Sequence, residues 1–117
     1  MADEVSFEVE HNPGYTLIRP TGYLDLSTSP KLREKILKLA DERPAVLIVD
    51  LGLIEFLDSS ALGVILNGWK VLNAEHSVLA VVSSQARITK IFEITALNLS
   101  IRLFSSVDDA VAELVGA

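Results

Sequence analysis

The chain has 117 residues, half of them hydrophobic, which is enough to bury one sizeable core and predicts a single domain over residues 1–117. A formal net charge of −6 repels phosphate backbones, so direct binding to nucleic acid is not expected. The absence of cysteine excludes disulfides, thiolate metal sites and thiol nucleophiles.

The apolar runs are far shorter than the roughly 18 residues that a membrane-spanning helix needs. The acidic start of the chain also lacks the features of a targeting peptide. We therefore expect a cytoplasmic protein that has no membrane partner.

The first part of the chain predicts a β-hairpin. Residues 5–9 alternate between apolar and polar side chains, which is the period of a half-buried strand. Residues 12–14 predict a turn, and residues 15–19 predict a second strand antiparallel to the first. Because Pro20 has no backbone N–H, this second strand is expected to end there or to lie at an edge.

Alternating helices and strands follow. Cap residues and a proline over residues 27–30 predict the start of an amphipathic helix that stops at Pro44. The continuously apolar residues 45–49 predict a central strand covered on both faces. After an exit loop, a second helix begins near Ser59 and leads to an apolar strand at residues 78–82, which predicts a right-handed parallel crossover.

The last part of the chain continues this pattern. A third helix is predicted at about residues 85–94 and a strand at residues 101–104. Ser106, with Asp109 three residues later, predicts the cap of a fourth helix. The elements together predict an α/β fold, in which a mixed β-sheet with an N-terminal hairpin and alternating parallel strands packs with four helices.

No catalytic or metal-binding arrangement is found in the sequence. His11 and His76 lie at separate predicted turns, where surface positions are expected. The glycines are dispersed, so no phosphate-binding loop is present, and for Gly63 and Gly68 in the second helix we expect a packing role. We therefore expect no catalytic residue, no metal site, no cofactor and no enzymatic activity.

Three cap-type residues, Asp58, Ser59 and Ser60, stand in a row at the start of the second helix. Their structural interpretation, which the residues alone favour, is that they accept hydrogen bonds from the free N–H groups of the helix start. The regulatory alternative is that a serine here carries a phosphate, whose charge of about −1.5 to −2 suits the helix dipole but alters a partner surface.

The chain resembles the bacterial anti-sigma factor antagonists built on the STAS domain, over nearly its whole length. The segments that carry the resemblance are residues 22–25, 57–66 and 91–97, with Phe104 and residues 109–110 near the end. The resemblance implies a STAS-like fold. It also places the regulatory phosphorylation site of the family on Ser59, the first serine of its motif, and not on Ser60.

The mechanism that this resemblance implies is partner switching. The unphosphorylated antagonist binds an anti-sigma factor and frees a sigma factor for transcription. The anti-sigma factor is also a serine kinase, phosphorylation at Ser59 releases the antagonist, and a separate phosphatase acting on phosphorylated Ser59 resets it. The expected partner-binding residues are Asp25, Asp58, Ser59 and Ser60, with turn and cap chemistry as the alternative for the two aspartates.

Three residues depart from the family pattern. Ala61 and Ala96 stand where glycine is usual, and Tyr23 replaces an acidic residue. The methyl group of Ala61 is expected to obstruct close approach by a partner.

Two other functions compete with this one. A phosphoacceptor domain with Asp50 as the acceptor lacks the paired acids and the later lysine that such a site needs. A STAS module of a stress-signalling complex or transporter, without a sigma-linked partner, is not separated by sequence, although the serine motif favours the antagonist.

Overall fold

A computed structural model describes residues 5–115, which form six strands and four α-helices. The strands are β1 (Val5–Asn12), β2 (Tyr15–Leu24), β3 (Val46–Asp50), β4 (Ile54–Leu57), β5 (Val78–Val82) and β6 (Arg102–Phe104). The helices are α1 (Ser29–Asp41), α2 (Ser59–Ala74), α3 (Ala86–Ile94) and α4 (Val107–Leu114), and a short 3-10 helix spans Leu97–Leu99. The predicted mixed α/β fold with four helices is confirmed.

The strands form one sheet in the order β1-β2-β3-β5-β6, and β4 pairs with β2. The β1–β2 hairpin is antiparallel and the other pairs are parallel. All five residues of β3 are buried in the middle of the sheet, as its continuous apolar sequence predicted.

The two faces of the sheet carry different helices. The larger core includes Leu32 of α1, Ile65 of α2 and Phe92 of α3, while a smaller core on the other face includes Ala110 of α4. Successive side chains of a strand point to opposite faces, so these two cores share the strands between them. The helix α4 packs mainly over β3, β5 and β6.

The prediction that the second strand ends at Pro20 or lies at an edge was wrong. The strand β2 continues to Leu24, and Pro20 lies opposite Phe7 of β1. On its other side β2 changes partner, from β3 at residues 16–18 to β4 at residues 22–24. Pro20 therefore lies between two ladders, where its missing N–H breaks neither of them.

The segment before Ser59, which was expected to be a loop, is the strand β4. Its end residues, Ile54 and Leu57, are buried and the two between them are exposed, and the register with β2 shifts at this point. A strand of four residues without alternation has no periodic signal in the sequence. The conformation of β4 is instead determined by its pairing with β2, which is distant in sequence.

Ala96 adopts the left-handed conformation, with φ of 61°, just after α3. A Cβ costs about 1–2 kcal/mol in this region because it meets a carbonyl oxygen. Glycine, the usual residue of the family pattern here, avoids this cost.

We expect Ala96→Gly to raise the free energy of unfolding by about 1 kcal/mol, since part of the relief is offset by the greater freedom of glycine in the unfolded chain. Urea denaturation followed by circular dichroism measures the change. As a control, Ala112→Gly at an exposed position of α4 should lower stability by roughly 0.5–1 kcal/mol. A loss of stability in Ala96→Gly would show that the backbone conformation of Ala96 is not strained.

The two glycines of α2 lie in different environments. A Cβ on the buried Gly68 would lie 2.7 Å from Cγ2 of Ile36 on α1, so the two helices approach too closely there for a larger side chain. A Cβ on the exposed Gly63 would have no neighbour within 4 Å. The predicted packing role is confirmed for Gly68 and was wrong for Gly63.

Gly68→Ala should therefore lower the free energy of unfolding by about 1–2 kcal/mol, because overpacking against a branched side chain outweighs the gain in helix propensity. Gly63→Ala has only the propensity gain and should be neutral or stabilising by up to about 1 kcal/mol. Thermal unfolding of both variants tests this contrast. Equal shifts in the two variants would show that α1 and α2 are not in tight contact at Gly68.

Candidate functional site

The candidate site lies where β2 and β4 end. These strands are parallel, with Leu24 opposite Leu57, and the N–H of Asp58 donates to the carbonyl of Leu24 over 3.1 Å. The residues that follow each strand therefore lie at the same edge of the sheet. This brings Asp25 and Asp58 together although they are far apart in sequence.

Asp58 is the N-cap of α2. Its Oδ1 accepts a hydrogen bond from the N–H of Ser60 at 2.9 Å, and its carbonyl accepts one from the N–H of Leu62 at 3.2 Å. The first bond satisfies an N–H group that has no backbone partner within the helix, and the second is the first backbone hydrogen bond of the helix itself. The predicted capping chemistry of Asp58 is confirmed.

Ser59 is the more accessible of the two serines. It is exposed as the first residue of α2, whereas Ser60 is half-buried. Ala61, the next residue, is completely buried in the core. The expectation that the methyl group of Ala61 obstructs a partner was therefore wrong, because this side chain points away from the surface.

Asp25 orders the loop between β2 and α1. Its Oδ1 accepts hydrogen bonds from the hydroxyl of Ser27 at 2.8 Å, the N–H of Ser27 at 3.0 Å and the N–H of Thr28 at 3.1 Å. The hydroxyl of the buried Thr28 donates to the carbonyl of Tyr23 at 2.7 Å and lies 2.9 Å from the N–H of Asp25, which donates to it. The turn chemistry predicted for Asp25 is thus confirmed.

Both aspartates keep one oxygen for a further interaction. The hydrogen bonds that residues 5–115 make to these two carboxylates all go to Oδ1. The edge therefore carries two half-buried aspartates, one after β2 and one after β4, and the exposed Ser59 directly follows the second of them. This arrangement suits a cationic partner surface, while the N-terminus of α2 tolerates additional negative charge on Ser59.

Asp50 does not form a phosphoacceptor site. Its side chain is buried, Oδ2 accepts from Nε of Arg19 at 2.9 Å, and Oδ1 accepts from the N–H of Gly52 at 2.9 Å. Because both oxygens are engaged, the carboxylate is not presented to a phosphoryl donor. Its role is to hold the turn between β3 and β4.

The histidines lie on the surface, as predicted. His11 contacts Glu42 at 2.9 Å, and His76 is exposed at the end of α2. In the part of the chain that the structure describes, no group of three His, Cys, Asp or Glu side chains is arranged to hold a metal ion. No helix within residues 5–115 combines the length and apolar character needed to cross a membrane.

The sequence identified neither Thr28 nor the exposed apolar residues Leu26 and Phe56, and Tyr23, also exposed, stood out only as a departure from the family pattern. A signal for Thr28 does exist, because an aspartate followed two and three residues later by Ser and Thr is typical of a side-chain-bonded turn. No such signal exists for the apolar residues, since hydrophobic side chains in a strand or loop are ordinarily assigned to the core.

Comparisons with known proteins concern the family and the fold. The pattern that defines the STAS domain family matches residues 6–110. The anti-sigma F factor antagonist of Paenibacillus polymyxa is 27% identical over 111 residues, which cover 94% of this chain and 95% of that protein.

Solved structures are also similar. An anti-sigma factor antagonist from Mycobacterium paratuberculosis has a TM-score of 0.90 at 25% identity, and the match covers 97% of both chains. The phosphorylated form of the Bacillus cell fate determinant SpoIIAA has a TM-score of 0.71 at 21% identity, covering 92% of this chain and 98% of that one. The second likeness concerns the fold alone.

The hydrogen bonds of the loop give a prediction about its titration. The Ser27 hydroxyl, followed by the N–H groups of Thr28 and Ser27, lowers the pKa of Asp25 below its ordinary value. We expect Ser27→Ala to raise this pKa, measured by NMR titration of the side-chain carboxyl carbon. Ser84→Ala, at an exposed position after β5, is the control and should leave it unchanged.

The same hydrogen bonds determine in which direction the stability of the loop changes with pH. Because the folded-state pKa of Asp25 lies below the unfolded value, its stabilising contribution is complete above the unfolded pKa and is lost as the pH falls through the folded pKa. The loop should therefore loosen only under acidic conditions. An unchanged pKa in Ser27→Ala would show that the hydroxyl does not bond the carboxylate in solution.

Proposed function

This chain belongs to the STAS domain family, and we propose that it acts as a single-domain anti-sigma factor antagonist controlled by phosphorylation at Ser59. Unphosphorylated, it binds an anti-sigma factor and so frees the sigma factor. The anti-sigma factor, acting as a serine kinase, phosphorylates Ser59 and is released, and a phosphatase restores the first state. The chain itself contributes binding and no catalysis.

The observation that carries this proposal is the position of Ser59. Ser59 is the exposed first residue of α2. It directly follows the capping Asp58 and lies at the sheet edge that also holds Asp25. A kinase can reach this hydroxyl without unfolding the chain. Ser60 is half-buried and therefore less accessible.

A phosphate at this position should change the stability of the fold very little. The group would lie outside the core, near the positive end of the α2 dipole and its free N–H groups. In SpoIIAA a related fold has been solved in phosphorylated form. We therefore assign the effect of phosphorylation to the partner surface rather than to the stability of the chain.

The same phosphate should strongly weaken the affinity for a partner. The phosphate adds a charge of about −1.5 to −2 beside two carboxylates, in a chain whose net charge is already −6. An interface that closes over this group must desolvate it. A cost of about 3 kcal/mol corresponds to an affinity more than a hundredfold weaker, which is sufficient for a switch.

The partner class is tested by recovering tagged protein from lysate of its own organism, with and without ATP. Recovery of an ATP-binding serine kinase that also binds a sigma factor supports the proposal. Recovery of only transporter or stress-complex subunits would favour the alternative STAS module.

The switch itself makes a sharper prediction. The purified anti-sigma factor should phosphorylate Ser59 and not Ser60, and the phosphorylated protein should bind it at least about a hundredfold more weakly with an unchanged circular dichroism spectrum. Ser59→Ala should bind whether or not ATP is present. Ser59→Asp should bind weakly, although less so than the phosphorylated form, because one carboxylate carries less charge.

Ser60→Ala is the matched control, and it should keep both the binding and its loss on phosphorylation. Calorimetry gives the affinities and mass spectrometry locates the phosphate. Phosphate on Ser60 alone, or equal affinities of the phosphorylated and unphosphorylated forms, would refute the assignment of Ser59.

A further inference from the structure

Two side chains at the start of α3 reach back to the beginning of β4. Nε2 of Gln85 donates to the carbonyl of Ile54 at 3.0 Å and to that of Gly52 at 3.2 Å. Nη2 of Arg87 donates to the same Ile54 carbonyl at 3.1 Å. We refer to Gln85 and Arg87 as the α3 clamp.

The side chain of Gln85 does not serve its own helix. Gln85 is the N-cap residue of α3, yet its side chain makes no cap hydrogen bond. Its backbone is held on both sides, since its N–H donates to Oγ of the buried Ser83 at 3.1 Å and its carbonyl accepts from the hydroxyl of Thr89 at 3.2 Å. The backbone therefore fixes Gln85 in α3, while the side chain bonds a different part of the fold.

The strand β4 depends on these donors because a strand lies on one side of it only. Within residues 5–115, β4 pairs with β2 alone, over three residue pairs. The ladder between β3 and β5 ends at Asp50 and Val82, before β4 begins. Ile54 is buried, and buried carbonyls are nearly always paired. The α3 clamp thus supplies the donors that a neighbouring strand would otherwise provide.

The start of β4 also determines where Ser59 lies. The strand ends at Leu57, and the N-cap Asp58 and then Ser59 follow it directly. The N–H of Asp58 donates to the carbonyl of Leu24 at 3.1 Å. No loop separates β4 from α2, so a displacement at the Ile54 end of this short strand is passed on to the first turn of the helix.

We propose that Gln85 and Arg87 are positioning residues for Ser59. By holding the carbonyl of Ile54, they fix β4 and so present the Ser59 hydroxyl to its kinase in one arrangement. The orientation of a reacting group contributes to the rate, because a misplaced group reaches the reactive geometry less often. This inference rests on the proposed function and extends it to a part of the fold outside the surface around Ser59.

The first test is NMR relaxation of the unphosphorylated chain, which needs no partner. Gln85→Glu keeps the shape of the side chain but replaces the donor Nε2 by an oxygen, and Arg87→Ala removes the other donor. In each variant we expect the amide order parameters of residues 58–60 to fall from about 0.85, the value of rigid backbone, towards about 0.6. The amide of Ile48, in the centre of the sheet, should stay rigid. A loss of overall stability alone would not produce this local change.

The second test measures phosphorylation of Ser59 by the purified anti-sigma factor kinase of the same organism. Gln85→Glu and Arg87→Ala should each lower kcat/KM at least about fivefold. Arg87→Lys keeps a cationic donor and should restore most of this loss.

Two variants elsewhere match these changes in charge. Lys90→Ala removes a cation from an exposed position of α3, as Arg87→Ala does. Asn98→Asp replaces an exposed amide by a carboxylate, as Gln85→Glu does. Both should leave the order parameters of residues 58–60 unchanged and keep kcat/KM within about twofold of the wild type.

The outcomes separate this inference from the proposed function. Wild-type order parameters at residues 58–60 in both clamp variants would overturn the inference. Wild-type kcat/KM in both, or equal losses in the two control variants, would also overturn it and leave the proposed function standing. A wild type that the kinase does not phosphorylate on Ser59 would refute the proposed function, and with it the role of the clamp in phosphorylation.

The order parameters would in that case still show whether the α3 clamp holds the start of α2. If Gln85→Glu fails to fold by circular dichroism, Arg87→Ala, at an exposed position, decides the question.

Discussion

The parallel pairing between the end of β2 and the strand β4 is the interaction on which the site depends. It consists of only three residue pairs, from Gly22 with Ile54 to Leu24 with Leu57, followed by the hydrogen bond from the N–H of Asp58 to the carbonyl of Leu24. This pairing places the loop before α1 next to the start of α2. With it, two loops that are distant in sequence form one surface.

This short pairing is supported from the side of β3 and β5. Asp50 bonds Arg19 of β2 and the N–H of Gly52, which fixes the turn that leads into β4. The side-chain nitrogen Nε2 of Gln85, just before α3, donates to the carbonyl of Ile54 at 3.0 Å and to that of Gly52 at 3.2 Å. A strand too short to be stable alone is thus fastened at its start by side chains and at its end by the cap of α2.

Structure and recognition share the same residues at this edge. Asp25 uses one carboxylate oxygen to order its loop, and Asp58 uses one to cap α2. Each keeps the other oxygen available, so a structural role does not prevent contact with a partner. Leu26 lies on the loop that Asp25 orders, and its exposed side chain does not contribute to the core.

Elements with strong periodicity and clear end signals could be predicted from the amino-acid sequence. Continuous apolar runs identified β3 and β5, and cap residues marked the starts of α1, α2 and α4. The tertiary structure decided the rest, because β4 and the continuation of β2 past Pro20 exist only through their partners. Burial was likewise a tertiary property: the small side chain of Ala61 is completely buried, whereas the larger apolar side chain of Leu26 is exposed.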